Sequence, residues 1–167
     1  MKMNIPFADS CLRATMDAAK DVSRSVLGIE SDPIEVPHLE CAGFSSFISL
    51  VGTEIAAQVC LSTTACGGRH FAGLLLGMSS SESEQLDDAD VVDALGEFVN
   101  IIAGMVKTSL FELIGECQMG LPTVASGNIL PGGDACVRTV TLKVSDHLLK
   151  LVVQSENRAS FAQSTAA

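Results

Sequence analysis

The stretch Asp93-Ala94-Leu95-Gly96-Glu97-Phe98-Val99-Asn100-Ile101-Ile102-Ala103-Gly104 limits what this chain can fold into more than any other. Leu95, Phe98, Val99, Ile102 and Val106 recur at i, i+3 and i+4, the spacing of one apolar helix face. Asp93, Glu97, Asn100, Gly104 and Lys107 fall on another side of the same cylinder. Glu97 and Asn100 are three apart, so their side chains sit on neighbouring turns and can reach one object together. A glycine inside a helix costs about 1 kcal/mol relative to alanine. Gly96 and Gly104 therefore suggest a surface cleared for close approach. Two readings of this face stay open on spacing alone: a solvated polar stripe, or a carboxylate and amide presented to a partner or substrate.

The 167 residues suit one domain, and 47% apolar residues supply a core. The formal net charge is −10, with much of the acid in residues 82–90. There is no run of lysines and arginines, and the chain has no Trp or Tyr. Phosphate backbones need cations in number, so nucleic acid is excluded as a partner, and an anionic membrane surface for the same reason. No apolar run approaches the roughly 18 residues of a membrane span, and residues 1–6 lack the apolar stretch of a secretion signal. The six cysteines, Cys11, Cys41, Cys60, Cys66, Cys117 and Cys136, form no Cys-x-x-Cys pair. They read as buried, reduced thiols of a cytoplasmic protein. His38, His70 and His147 show no metal-ligand spacing, and no phosphate-binding loop or dinucleotide fingerprint is present.

Taken in order, residues 10–27 read as a first helix carrying Leu12, Met16, Ala19, Val22 and Val26, with Pro6 ahead of it and Gly28 ending it. Residues 31–37 form a connector or short strand in which Pro33 and Pro37 limit pairing. Residues 43–62 alternate as a β-hairpin about Gly52-Thr53, which suits a two-residue type II′ turn. A second helix over 63–78 is capped by Ser62 or Thr63 and holds an unexplained Gly67-Gly68 pair. Its Arg69-His70 admits a phosphate-contact reading beside the plainer one of a solvated helix face. The acidic residues 79–90 suit a loop and a helix N-terminus. The central helix continues to about residue 113, with a bend or break along the way and Gly115 as its stop. Residues 121–127 are a compact loop or short strand, and 135–143 and 147–154 two strands joined through Ser145-Asp146. Residues 157–167 form a polar tail beyond an ordered core of about 8–156. The fold class is mixed α/β, a largely antiparallel sheet packed with helices, one of them long and central.

Two of these segments resemble motifs of a known family. Gly96-Glu97-Phe98-Val99-Asn100-Ile101-Ile102-Ala103-Gly104 looks like the Gly-Glu-x-x-Asn-x-x-x-Gly helix of the CheX/CheC/FliY phosphatases of bacterial chemotaxis, most nearly the CheX type. Leu121-Pro122-Thr123-Val124-Ala125-Ser126-Gly127 looks like the segment that follows it there. The resemblance implies a hydrolase acting on the phospho-aspartate of a CheY-like response-regulator receiver domain. Glu97 would pair with a receiver lysine and Asn100 would orient the attacking water. It also implies a homodimer, partly by sheets joined across subunits. Residues 10–27 carry no second Glu-x-x-Asn, so one site per chain is expected. Phe98 and Val99 stand where the family more often has Leu and a small or polar residue.

The chemistry is sound on its own terms. An acyl phosphate is already reactive and its phosphoryl group passes through a loose transition state, so positioning and charge stabilisation suffice. An amide is a poor base, but it can hold a water in line with phosphorus. A carboxylate accepts a charge-assisted bond from an ammonium. The magnesium that offsets phosphoryl charge would come with the receiver, so no cofactor is expected on this chain. The rival readings are a non-catalytic receiver-binding adaptor and a structural homodimeric module.

Overall fold

The computed structural model describes residues 5–36, 43–53, 55–127 and 136–157. Helix α1 spans Ile5–Ser25 and is followed by strand β1, Ser31–Ile34. Strands β2, Phe44–Val51, and β3, Ile55–Thr63, form a hairpin leading into helix α2, Ala65–Leu75. A single-turn α3, Ser80–Ser83, precedes the long α4, Asp88–Ser109, and the short α5, Phe111–Ile114. Strands β4, Gln118–Met119, β5, Thr123–Ser126, β6, Cys136–Val144, and β7, His147–Asn157, complete the fold. The strands form one sheet in the order β1-β6-β7-β3-β2-β4, with β5 also on β2, and every pairing is antiparallel.

Alternation along the strands decides which sheet face is covered. Phe44, Ser46, Ile48 and Leu50 of β2 are buried, as are Ala57, Val59 and Leu61 of β3 and Leu149, Leu151 and Val153 of β7. The apolar ones join Leu95, Phe98, Val99, Ile102 and Val106 of α4 in one core. α1 packs on β6 and β7, α4 on β2 and β3, and the two helices touch each other. The opposite sheet face carries Gln58, Thr139, Lys143, Lys150 and Gln154, none of them buried. The helices thus share one face, the layout that a period-2 pattern under a period-3.6 pattern demands.

Several local expectations are revised. α1 begins earlier than residue 10, with Pro6 inside its first turn, where a missing N–H costs nothing. Val26 is exposed, and Phe7, Cys11 and Ala18 fill the core in its place. The β2–β3 turn is not the two-residue type II′ form. Val51 pairs with Ala56, Gly52 N–H donates to the Ile55 carbonyl at 2.9 Å, and Gly52 lacks the positive φ that such a turn requires. Helix α2 is capped by Thr64, not by Ser62 or Thr63; its hydroxyl accepts from Gly67 N–H at 3.1 Å.

The Gly67-Gly68 pair of α2 has a packing cause. A Cβ on Gly68 would lie 2.6 Å from the Phe44 ring, and one on Gly67 would collide with the Thr63 hydroxyl. The acidic segment is more ordered than a loop. Ser79 N–H and the Ser79 hydroxyl both donate to the Glu82 carboxylate, at 2.8 and 2.6 Å, starting α3. Those bonds hold the Glu82 carboxyl below its ordinary range. The expected break in the central helix falls at Leu110, and Gly115, at φ +66°, ends α5. Proline does not exclude β1 from the sheet, because β1 is an edge strand.

Among the described cysteines, Cys11, Cys60, Cys117 and Cys136 are buried, whereas Cys66 is exposed, against expectation. Burial pushes the Cys11 thiol up to about 12. Cys41, His38, Pro37 and the tail beyond Asn157 lie outside the described residues.

Candidate functional site

The start of α4 is set by Asp87, whose carboxylate accepts from Asp90 N–H at 2.9 Å. Asp88 and Asp90 stand in the first turn, where the helix dipole favours negative charge. From that start the 3.6-residue repeat drives Leu95, Phe98, Val99, Ile102 and Val106 into the core, each at most 2% exposed. Phe98 stacks on Phe71 of α2 with ring centroids 6.3 Å apart. With the buried face fixed, the polar face has nowhere to go but outward. Asp93 and Glu97 are exposed, and Asn100, Gly104 and Lys107 are partly exposed.

Among the described residues, the side chains of Glu97 and Asn100 have no hydrogen bond or ion pair. Both are open to a ligand or partner. The two glycines differ. A Cβ on Gly96 would touch Val124 Cγ2 at 3.8 Å and Pro122 Cβ at 3.9 Å, so its neighbour is the chain's own β5 region. A Cβ on Gly104 would meet nothing within 4 Å. Gly104 therefore leaves open space beside Asn100, whereas Gly96 does not clear a surface for a foreign protein. Phe98 and Val99, the two departures from the family pattern, are core residues and do not reach the outer face.

A second cluster brings together residues that are distant in sequence. Cys66, Arg69, His70, Asp146 and His147 line a cavity of about 560 Å³ between α2, α3 and the β6–β7 turn. The His70 and His147 rings lie 4.4 Å apart, and the buried His70 Nε2 has no partner. Burial, and then the neighbouring His147, lower the His70 pKa. Arg69 is committed within the fold: its Nε donates to the Leu86 carbonyl at 3.1 Å and its guanidinium pairs with Asp88 at 2.8 Å. The phosphate-contact reading of Arg69-His70 loses its cation to those bonds. Spacing alone did not reveal the His70–His147 contact, which depends on the fold. No group of three or more His, Cys, Asp or Glu side chains is placed to hold a metal among the described residues.

Residues 44–136 match the family model described as chemotaxis phosphatase CheX. The chain belongs to the CheX family. The match spans the β2–β3 hairpin, α4 with its Glu97–Asn100 pair, and the Pro122–Gly127 segment. No curated protein matches the chain in sequence.

Solved structures agree on the fold. CheX from Vibrio vulnificus superposes with a TM-score of 0.74 at 17% identity, covering 87% of this chain and 99% of that one. A CheC-like superfamily protein from Shewanella sp. PV-4 gives 0.75 at 19%, covering 92% and 99%. CheX in a CheX–CheY–BeF3–Mg complex from Borrelia burgdorferi gives 0.70 at 19%, covering 87% and 97%. The expected mixed α/β, CheC-like fold is borne out, as is membership of the CheX/CheC/FliY group. None of the described helices is long and apolar enough to cross a membrane.

Proposed function

We propose that this CheX-family protein hydrolyses the phospho-aspartate of a CheY-like receiver domain, with Glu97 and Asn100 as the working pair. The observation that carries the proposal is their placement. A carboxylate and an amide, one turn apart and unpaired among the described residues, face outward from the middle of a helix whose other face is locked in the core. One solved CheX-family relative was crystallised with CheY, BeF3 and magnesium.

In this reading Glu97 accepts a charge-assisted bond from a receiver lysine and fixes the register of the two proteins. Asn100 then hydrogen-bonds a water and aligns it with the phosphorus, opposite the aspartyl oxygen. The water oxygen forms the new P–O bond, the bond to the aspartyl oxygen breaks, the water's proton passes to a phosphate oxygen, and inorganic phosphate and a free carboxylate result. Because the transition state is loose, the amide need not take the proton. Magnesium on the receiver offsets the phosphoryl charge. The reaction would take place in the cytoplasm, as the reduced thiols read from the sequence suggest. The chain would act as a homodimer with one site per protomer, a state that sedimentation velocity checks.

The test is to phosphorylate CheY-like receivers with a small phosphodonor, add this protein, and follow decay of the phosphorylated form with and without magnesium. Accelerated, magnesium-dependent decay is expected. Unchanged decay across the receivers tried, at concentrations where binding is demonstrated, would overturn the enzymatic reading in favour of an adaptor.

A further inference from the structure

The fold closes a contact between residues that are far apart in sequence. His70 lies on α2 and His147 opens β7, and their rings stand 4.4 Å apart at an interplanar angle of 37°. Two imidazoles bound side by side to one ion, through nitrogens about 2.1 Å from it, bring their centroids to roughly 4.5–5 Å. The pair therefore stands close to the separation of two ligands on one metal. His70 Nε2 is buried and has no hydrogen-bond partner among the described residues. A buried polar atom without a partner is costly, and a bound water or ion is a usual answer to it.

The surroundings select a cation. The cavity of about 560 Å³ beside the two rings is also lined by Cys66, Arg69, Glu84 and Asp146. Arg69 is neutralised by Asp88, whereas Glu84 and Asp146 take part in no ion pair among the described residues. The charge left over is negative, which disfavours an anion and favours a positive ion. Cys66 adds a soft donor. It stands four residues before His70 on α2, hence one turn away on the same face, and it is exposed.

As placed, these side chains do not form a ready triad of ligands. Helical side chains lean toward the helix N-terminus, so His70 reaches back over the turn that carries Cys66. What completes the set is a rotation of the exposed Cys66 side chain, a motion of picoseconds to nanoseconds. Imidazole and thiolate together suit zinc-class ions, where carboxylate and water suit magnesium or calcium.

We infer that His70, His147 and Cys66 form a binding site for a divalent ion of the zinc class, with water in the fourth position. Both imidazoles bind as neutral rings, and the Cys66 thiol gives its proton to solvent as the thiolate takes the metal. The ion ties α2 to the first residue of β7. None of these residues belongs to the Glu97–Asn100 pair, and the inference does not depend on the proposed reaction.

The experiment strips the full, tag-free chain with a chelator, titrates it with Co²⁺, and then displaces the cobalt with Zn²⁺. Wild type is expected to saturate at one equivalent. The complex should show the near-ultraviolet charge-transfer band of a thiolate–cobalt bond and the visible bands of a four-coordinate ion. Cys66→Ser should abolish the charge-transfer band. His70→Gln and His147→Gln should each weaken binding by about tenfold or more, with circular dichroism unchanged. Zn²⁺ should raise the melting temperature of wild type but not of His147→Gln. The site is overturned by an absence of saturable binding, or by binding that both histidine variants leave unchanged. A charge-transfer band that survives in Cys66→Ser and is lost in Cys41→Ser assigns the ion elsewhere and likewise overturns it. Receiver turnover plays no part in the readout, so this site and the phosphatase reading fail independently.

Discussion

Glu97 and Asn100 are one turn apart, yet they sit in different surroundings. Glu97 stands in solvent and Asn100 is partly sunk. An exposed carboxylate contributes through a bond it makes only to a partner, so Glu97→Ala should act on binding. Hydrogen bonds to charged groups are worth about 1.5–3 kcal/mol, which corresponds to a loss of roughly ten- to a hundredfold. Titration against a beryllofluoride-loaded receiver checks this, and unchanged affinity would remove Glu97 from the docking role. The adjoining, tilted rings of His70 and His147 yield a separate prediction. The His70 pKa is lowered in the folded state, by burial first and by His147 second. The unfolded chain therefore binds its proton more readily, and folding stability falls as pH drops below the ordinary histidine value of about 6.5. His70→Gln should flatten that part of the profile. Denaturant melts of both proteins between pH 7.5 and 5.5 read the difference, and parallel profiles would show that the pair does not report on acid.

Among the elements, α4 carries both core residues and the candidate site, and its periodicity made its buried and outer faces legible. The residues assigned to its buried face are all in the core, and those assigned to the outer face all reach solvent to some degree. What periodicity could not supply was context. Gly96 and Gly104 are alike in sequence, but one abuts Pro122 and Val124 and the other faces open space. Gly104→Ala consequently separates stability from docking. With no neighbour to displace, the alanine should stabilise the helix by up to about 1 kcal/mol. A methyl group on the stripe should at the same time weaken engagement of the receiver. A higher melting temperature with lower turnover is the expected pair of results; a higher melting temperature with full turnover would mean that no partner comes close at this point. The β2–β3 turn was misread for a related reason. A Gly-x dipeptide permits a type II′ turn without requiring one, and here Val51 pairs with Ala56 and Gly52 N–H bonds to the Ile55 carbonyl, so Gly52 belongs to the ladder and not to the turn.

At the scale of the molecule, order and type of elements could be read because alternating and helical repeats are local signals. Strand order is not local. Nothing in the spacing of residues 31–34 shows that β1 pairs with β6, or that His70 and His147, 77 positions apart, end in ring contact. The same holds for the exposed Leu121, which lies where the path from β4 to β5 carries one residue more than the β2 segment that both strands pair with. The sheet and α1 pack against α4, and under the proposed function that packing would present the Asn100 amide, unpartnered among the described residues, to the receiver. The most direct test of that account is single-turnover decay of a phosphorylated CheY-like receiver with saturating protein, comparing wild type with Asn100→Ala. The account predicts a loss on the order of 10²-fold in the decay rate, with binding and melting temperature retained. Decay at the wild-type rate in the Asn100→Ala protein would contradict it.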